Sequence, residues 1–133
     1  MQEILQPSDW ARPKGYSHGI AVEGSGKTVY VAGQLGTNAQ GQIESDEFGK
    51  QIGQAFHNVV RVVQEAGGRA SDIVRMTWFI TDKAAYKSEG AAMVAAYKNS
   101  LGRHFPAITV IFVSGLVEDR AKIEIEATAF ING

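Results

Sequence analysis

Two glutamates near the end of the chain are the side chains best placed to do chemistry. Glu124 and Glu126 lie two positions apart in the alternating run 121–130, so a strand there would present both carboxylates on one face. The opposite face would carry Ile123 and Ile125. The pattern predicts either the solvated face of an antiparallel strand or a site in which one glutamate acts as an acid or base.

The run before these glutamates favours a site. Residues 107–114 are apolar on both faces, which is typical of a strand that is buried on both sides or pressed against another subunit. A carboxylate that faces such a surface loses part of its hydration and becomes a candidate proton acceptor or donor. The polar residues 115–120 between the two runs predict a turn, so we expect the two strands to form a hairpin.

The composition narrows the class of protein. A chain of 133 residues is the size of one domain, so we expect a single domain over residues 1–133. The 13 Lys and Arg against 14 Asp and Glu give a net charge of -1, which argues against nucleic acid or an anionic membrane as a partner. Without cysteine there is no disulfide and no thiolate nucleophile. Residues 1–15 resemble neither a signal peptide nor a membrane anchor, so we expect a soluble, cytoplasmic protein.

The remaining elements indicate an α+β fold. Residues 1–15 contain Pro7 and Pro13 and show no periodicity, which predicts an irregular lead-in. Strand and helix patterns then follow in the order β-β-α-β-α at residues 16–23, 27–34, 46–67, 73–81 and 83–101. The first two strands are separated by Gly-Ser-Gly and predict a hairpin. With the last two strands, the order β-β-α-β-α-β-β predicts a mixed sheet with two helices on one face. Because the other face would be bare, we expect a homo-oligomer.

The histidines and glycines predict neither a metal nor a cofactor. His18, His57 and His104 fall on three different elements, and no spacing typical of zinc ligands occurs. The glycines after the second strand do not open a helix in the way that a phosphate-binding loop does.

Several short motifs occur in an order and at a spacing typical of one known family. They are Gly15-Tyr16-Ser17-His18, Val31-Ala32-Gly33-Gln34, Gln51, Asn58, Ala66-Gly67, Asp72-Ile73-Val74, Thr77, Phe79, Thr81-Asp82, Phe105-Pro106-Ala107 and Ile123-Glu124-Ile125-Glu126-Ala127. Through them the chain resembles the RidA/YjgF family, also called the L-PSP endoribonuclease family. The resemblance implies a chorismate-mutase-like domain, a homotrimer with a barrel-like centre, and small-molecule clefts between subunits.

The chain departs from the family pattern around that cleft. In the family's active deaminases an arginine two residues after the proline of a PARS motif holds the substrate carboxylate, while water attacks an imine or enamine carbon. Here Ile108 stands at that position, and an alkyl chain cannot replace a guanidinium fork. Ala32 stands where the family has a serine, and the turn after Leu116 is one residue longer.

Other cleft positions carry over from the resemblance. Tyr16 matches an aromatic wall residue, the backbone at Val110 matches a ligand contact, and Glu124 matches the glutamate that orients water. Arg103 lies just before the Pro-Ala pair and is a candidate to bring a cation to the cleft. An aromatic cap on a strand would also explain Tyr16, and a solvated loop would explain Arg103.

Two functional hypotheses remain from the sequence. The first is hydrolysis of a reactive imine or enamine, or a related small carbonyl compound, with Glu124 positioning water and a substrate that lacks the amino-acid carboxylate. The second is a non-catalytic trimer that binds a small ligand or acts as a scaffold. A ribonuclease is disfavoured because the charge is balanced and the histidines form no pair.

Overall fold

A four-stranded mixed sheet forms the centre of the computed structural model, which describes residues 2–133. The strands of the chain are β1 (Gln2–Leu5), β2 (Gly19–Val22), β3 (Gly26–Gln34), β4 (Ile73–Ile80), β5 (Ala107–Phe112) and β6 (Ile123–Asn132). The helices are α1 (Phe48–Glu65), α2 (Lys83–Ser88) and α3 (Gly90–Leu101), with a short 3₁₀ turn at Ala70–Asp72. The order in the central sheet is β3-β6-β4-β5, and β4 and β5 run parallel. The predicted α+β fold with a mixed sheet is therefore confirmed.

Helix α1 forms because its apolar residues recur every three or four positions. The side chains of this stripe are buried against the sheet: Phe48, Ile52, Ala55, Phe56, Val59 and Val63. The helix is two residues shorter at each end than predicted. At its start the Asp46 side chain binds Arg120 instead of capping the helix, and at its end Gly67 adopts a φ of 89° that terminates the turn.

The second predicted helix is in fact two helices. Asp82 caps α2, since its Oδ1 accepts a hydrogen bond of 2.9 Å from the Ala85 N–H. The chain then breaks at Glu89, whose ψ of 31° is not helical, and α3 begins at the next residue. Glu89 Oε1 also accepts a hydrogen bond of 3.3 Å from the Gly49 N–H, which ties the break to α1.

The predicted C-terminal hairpin is wrong. Strand β5 pairs in parallel with β4, and β6 lies between β3 and β4, antiparallel to both. The polar segment between β5 and β6 is a long connection rather than a tight turn. A central place suits β6, because Ile123, Ile125 and Ala129 are fully buried on its helix-facing side.

The prediction for the N-terminus is also corrected. Residues 2–5 are not irregular, because β1 pairs antiparallel with β2 in a separate two-stranded sheet. The predicted hairpin of β2 with β3 does not form, and β3 pairs with β6 instead. Four-residue strands carry too few alternations for a sequence pattern to identify their partner.

The two faces of the central sheet differ in character. The helix-facing side belongs to a buried core that includes Tyr97 and Leu101 of α3, so α1 and α3 cover the same face, as predicted. The opposite side, called here the open face, has no covering layer among residues 2–133. It exposes Tyr30 by 80% and Ile111 by 40%. In β4 a register shift between Ile73 and Arg75 turns Ile73 into the core, on the same side as Met76 and Ile80.

Candidate functional site

A cavity of about 550 Å³ lies between the edge strand β5, helices α2 and α3, and the loop before β2. Its walls are mostly aromatic and aliphatic, and it is lined by Lys14, Gly15, Tyr16, Trp78, Tyr86, Met93, Val94, Tyr97, Lys98, Phe105, Ile108 and Val110. Alternate residues of β5 point into it, because successive side chains of a strand face opposite sides of the sheet. Its size and apolar lining are those of a small-molecule site.

One wall of the cavity is a fixed aromatic stack. The ring of Phe105 lies parallel to that of Tyr97, with centroids 5.7 Å apart and planes 5° from parallel. The Tyr97 hydroxyl donates a hydrogen bond of 2.6 Å to the His104 carbonyl oxygen. Burial raises the pKa of Tyr97 well above its ordinary value, so the phenol remains a neutral donor. This hydrogen bond holds the loop before β5 against α3.

The loop that carries Tyr16 is anchored to the same segment. The Ser17 hydroxyl donates to the Phe105 carbonyl oxygen at 2.6 Å, and the Ser17 N–H donates to the Pro106 carbonyl oxygen at 3.0 Å. The Tyr16 ring meets His18 edge to face, with centroids 5.6 Å apart. Ser17 therefore sets the position of Tyr16 at the cavity.

Trp78 contributes an unusual polar group beside the cavity. The residue is only 6% exposed, and its Nε1–H has no hydrogen-bond partner among residues 2–133. A buried donor left without a partner costs about 1–3 kcal/mol. Burial of this donor next to a cavity is hard to explain by packing alone.

The charges at the cavity are positive. Lys14 and Lys98 are exposed lining residues, and no aspartate or glutamate lines the cavity within the described part of the chain. Neither lysine forms an ion pair with another residue in the range 2–133. The mouth of the cavity therefore favours neutral or anionic ligands.

The structure brings together three of the residues expected at the site. Tyr16, Ile108 and Val110 all line the cavity. Ala32 does not, and it instead lines a shallow groove on the open face with Tyr30, Arg75, Thr77, Glu126, Ala127 and Thr128.

Glu124 also lies away from the cavity within one chain. It is paired with Phe79 of β4, which is in turn paired with Ile111 of β5, so these three side chains share the open face. Val110 and Trp78 are the neighbouring pair and point the other way. Within a single chain, Glu124 and the cavity are separated by the sheet.

The Glu124 side chain rests against the backbone of β3. A Cβ atom added at Gly33 would lie 2.5 Å from Glu124 Oε1, a distance that real Cβ contacts do not show. The carboxylate is half-buried and has no hydrogen-bond or ion-pair partner among residues 2–133. Sequence reasoning did not identify this role of Gly33, although a glycine inside a strand is a signal of close approach.

Arg103 is exposed and does not line the main cavity. It lies at a second cavity of about 240 Å³, which also has Arg12, Tyr16 and Phe105 in its walls. Its neighbour His104 also lines this second cavity, and His104 Nε2 lies 2.6 Å from the Ile73 carbonyl oxygen, to which it donates a hydrogen bond.

Two kinds of feature are absent from the described part of the chain. No group of three or more His, Cys, Asp or Glu side chains between residues 2 and 133 is arranged to hold a metal ion. Over the same residues, no helix has the length and apolar character needed to cross a bilayer.

The fold and the cavity together define a small α+β domain with an apolar pocket at the edge of its sheet. The family model described as Endoribonuclease L-PSP matches residues 9–131 of the chain. The chain belongs to this family, the RidA/YjgF family of the sequence analysis.

Similar proteins agree with this assignment. A RutC family protein from Pyrococcus abyssi is 29% identical over 97% of each chain. The 2-iminobutanoate/2-iminopropanoate deaminase of Escherichia coli is 33% identical over 78% of this chain and 80% of its own. The crystal structure of the Rid-family protein YyfB from Yersinia pestis, a protein of unknown function, has a TM-score of 0.83 at 28% identity and covers 96% of this chain and 97% of its own.

Proposed function

We propose that the chain hydrolyses a reactive imine or enamine, or a related small carbonyl compound, in clefts formed between the subunits of a homotrimer. The observation that carries the proposal is the aromatic cavity at the sheet edge, which has Ile108 at the position of the family's carboxylate-binding arginine. Support comes from family membership and from relatives named 2-iminobutanoate/2-iminopropanoate deaminase. Ile108 shifts specificity away from substrates with a carboxylate on the reacting carbon.

A homotrimer would cover the open face and bring Glu124 to a cavity, neither of which a single chain does. Glu124 stands on the open face without a hydrogen-bond or ion-pair partner among residues 2–133, and the same face exposes Tyr30 and Ile111. Three open faces packed around a barrel-like centre would bury these apolar side chains and bring Glu124 of one subunit to the cavity of the next. Analytical ultracentrifugation tests this step: the expected mass is three times the chain mass of 14.3 kDa. A monomer at micromolar concentration would contradict it.

The reaction needs only water and a base. Glu124 accepts a proton from a water molecule, whose oxygen forms a bond to the imine carbon. As this bond forms, the imine double bond opens and its nitrogen takes the proton back from Glu124, which gives a carbinolamine. Glu124 then accepts the proton of the carbinolamine hydroxyl and passes it to the nitrogen, so that the carbon–nitrogen bond breaks, ammonia leaves and the carbon becomes a carbonyl. The aromatic wall with Tyr16 and Phe105 holds the apolar body of the substrate during these steps.

Ammonia release from freshly generated imines tests the proposed reaction. The substrates are 2-aminoacrylate and a bulkier apolar imino compound, compared at equal protein concentration. We expect Glu124→Gln to abolish hydrolysis of the apolar compound. Glu126→Gln is the matched control, because Glu126 lies on the same face two residues further along and is exposed. Equal activity of Glu124→Gln and Glu126→Gln would refute the role of Glu124.

The second candidate function is a trimer that binds a small ligand, or acts as a scaffold, without catalysis. Ile108 favours it, because an alkyl side chain cannot hold the carboxylate of an amino-acid-derived imine. In that case the native chain releases no ammonia from either substrate, and Ile108→Arg gains activity on 2-aminoacrylate. Activity of the native chain on either compound would eliminate this candidate.

A further inference from the structure

We infer that the ligand of the main cavity carries a carboxylate at the far end of its apolar body, and that Arg12 and Arg103 bind this carboxylate in the adjoining smaller cavity. The inference rests on the proposed function, because it assigns a ligand class to the same site. The inference goes beyond the proposed function, because it places the carboxylate of the ligand at Arg12 and Arg103 and not beside Ile108.

The two cavities adjoin each other at shared residues. Tyr16 and Phe105 line both the cavity of about 550 Å³ and the one of about 240 Å³. The shared wall is held in place by Ser17, whose hydroxyl donates to the Phe105 carbonyl oxygen. A ligand that fills the larger cavity and passes this wall would enter the smaller one.

The smaller cavity is lined by two guanidinium groups, those of Arg12 and Arg103. Among residues 2–133 no aspartate or glutamate lines it, and neither Arg12 nor Arg103 forms an ion pair or a hydrogen bond with the rest of that range. Each guanidinium carries five N–H donors in a fixed fork that matches a carboxylate. Two such groups beside one concave surface are a typical arrangement for an anionic ligand.

Most of the other polar side chains of the smaller cavity are already occupied by hydrogen bonds within the chain. The Gln6 amide nitrogen donates to the carbonyl oxygens of Pro7 and Trp10, and the Gln2 amide nitrogen donates to the Ser71 carbonyl oxygen. The Ser17 hydroxyl donates within the loop. The His104 Nε2–H donates to the Ile73 carbonyl oxygen. The two arginines therefore hold, beside the Tyr16 hydroxyl, the donors that remain available to a ligand, and they are the charged ones.

Positive charge is concentrated around the two cavities. The whole chain has a net charge of -1, yet the two cavities together are lined by Lys14, Lys98, Arg12 and Arg103 and, within the described chain, by no acidic side chain. Such a cluster attracts anions to this region even though the chain as a whole would not. A ligand that occupies both cavities would therefore carry an acid group that is separated from the reacting carbon by an apolar or aromatic body.

Isothermal titration calorimetry with two matched probes tests the inference. Phenylbutanoate has an aromatic body and a terminal carboxylate, and phenylbutanamide has the same shape without the charge. The proteins are the native chain, Arg12→Gln, Arg103→Gln, and the double variant. Arg61→Gln is the matched control, because Arg61 is an exposed arginine on α1 that lines neither cavity. Thermal melting of each variant checks that the fold is retained.

We expect the native chain to bind phenylbutanoate at least about tenfold more tightly than phenylbutanamide, as charge-assisted hydrogen bonds imply. Each single variant lowers that preference and the double variant removes it, while phenylbutanamide binds all variants equally. Arg61→Gln keeps the native preference. If the native chain binds both probes equally, or if the double variant keeps its preference, the arginine site is refuted and the cavity itself still stands. Binding of neither probe would refute the arginine site together with the proposed cavity.

Discussion

Replacing Gln51 by leucine is expected to destabilise the protein more than any other single polar substitution on α1. Gln51 is 1% exposed, and its amide makes three hydrogen bonds to backbone groups. The Nε2 group donates to the carbonyl oxygens of Ser45 at 2.9 Å and Arg120 at 3.1 Å, and Oε1 accepts from the Lys122 N–H at 2.8 Å. One side chain thereby joins the start of α1 to the connection that leads into β6.

The magnitude follows from the three groups that the substitution leaves without partners. Two carbonyl oxygens and one N–H lose their hydrogen bonds, and each such loss costs about 1–3 kcal/mol when the group is buried. These groups are only partly buried, so the lower end applies. We expect the free energy of unfolding of Gln51→Leu to fall by about 3 kcal/mol in total.

Urea-induced unfolding at a fixed protein concentration measures this change. The control is Gln54→Leu, one turn further along α1, where a half-buried amide makes a single hydrogen bond of 2.8 Å to Asn58 Oδ1. That variant is expected to lose about 0.5–1 kcal/mol. If Gln51→Leu loses less than about 1 kcal/mol, or no more than Gln54→Leu, then the three hydrogen bonds do not have the role assigned to them.

Three further substitutions test other contacts. Gly33→Ala places a Cβ where the Glu124 carboxylate now lies. Imine hydrolysis by this variant is therefore expected to fall as far as in Glu124→Gln, with little change in melting temperature. If the variant hydrolyses imines as fast as the native chain, the close contact of Glu124 with Gly33 has no role in the reaction. Tyr97→Phe leaves the His104 carbonyl oxygen without its donor, which lowers the unfolding free energy at pH 7 by about 1 kcal/mol. Because the pKa of Tyr97 is raised on folding, only the unfolded state loses this proton above about pH 10, so the stability of the native protein falls as the pH rises. Tyr97→Phe lacks this part of the pH dependence. Urea midpoints from pH 7 to 11 measure the dependence of both proteins, and identical slopes would refute the role of Tyr97. Trp78→Phe removes a buried N–H that has no hydrogen-bond partner among residues 2–133. We therefore expect thermal melts to show a loss of unfolding free energy below about 1 kcal/mol. A loss above about 2 kcal/mol would mean that the N–H forms a hydrogen bond in the folded protein.

The sequence predicted those elements whose apolar residues have a long and regular period. The stripe of α1 and the alternation of β6 both correspond to buried faces in the structure. The pairing of the strands could not be predicted from the sequence, because β5 and β6 follow each other along the chain but each pairs with a different side of β4. The break at Glu89 was missed because the apolar stripe continues across it, and the hydrogen bond that Glu89 accepts there comes from Gly49, 40 residues away in the sequence.

The candidate site was predicted in part, and the reason lies in strand register. Ile108 and Val110 could be assigned to one face of a strand from their spacing alone. Whether Glu124 shares that face depends on how β6, β4 and β5 are paired, and the pairing of Glu124 with Phe79 sets it on the opposite side. The stacked wall of Tyr97 and Phe105 was not predicted as part of a site, because its two rings come from a helix and a loop that meet only in the fold.

The close packing of α1 on α3 has a consequence for the size of the ligand. Gly49 and Gly53 of α1 face Ala92 and Ala96 of α3, and a Cβ at either glycine would lie 3.1 or 3.4 Å from the alanine Cβ opposite. Helix α3 therefore has no room to move toward α1, while its other side forms a wall of the cavity through Met93. The width available to a bound molecule is thus set by four small residues that never touch it, and enlarging any of them would narrow the pocket from behind.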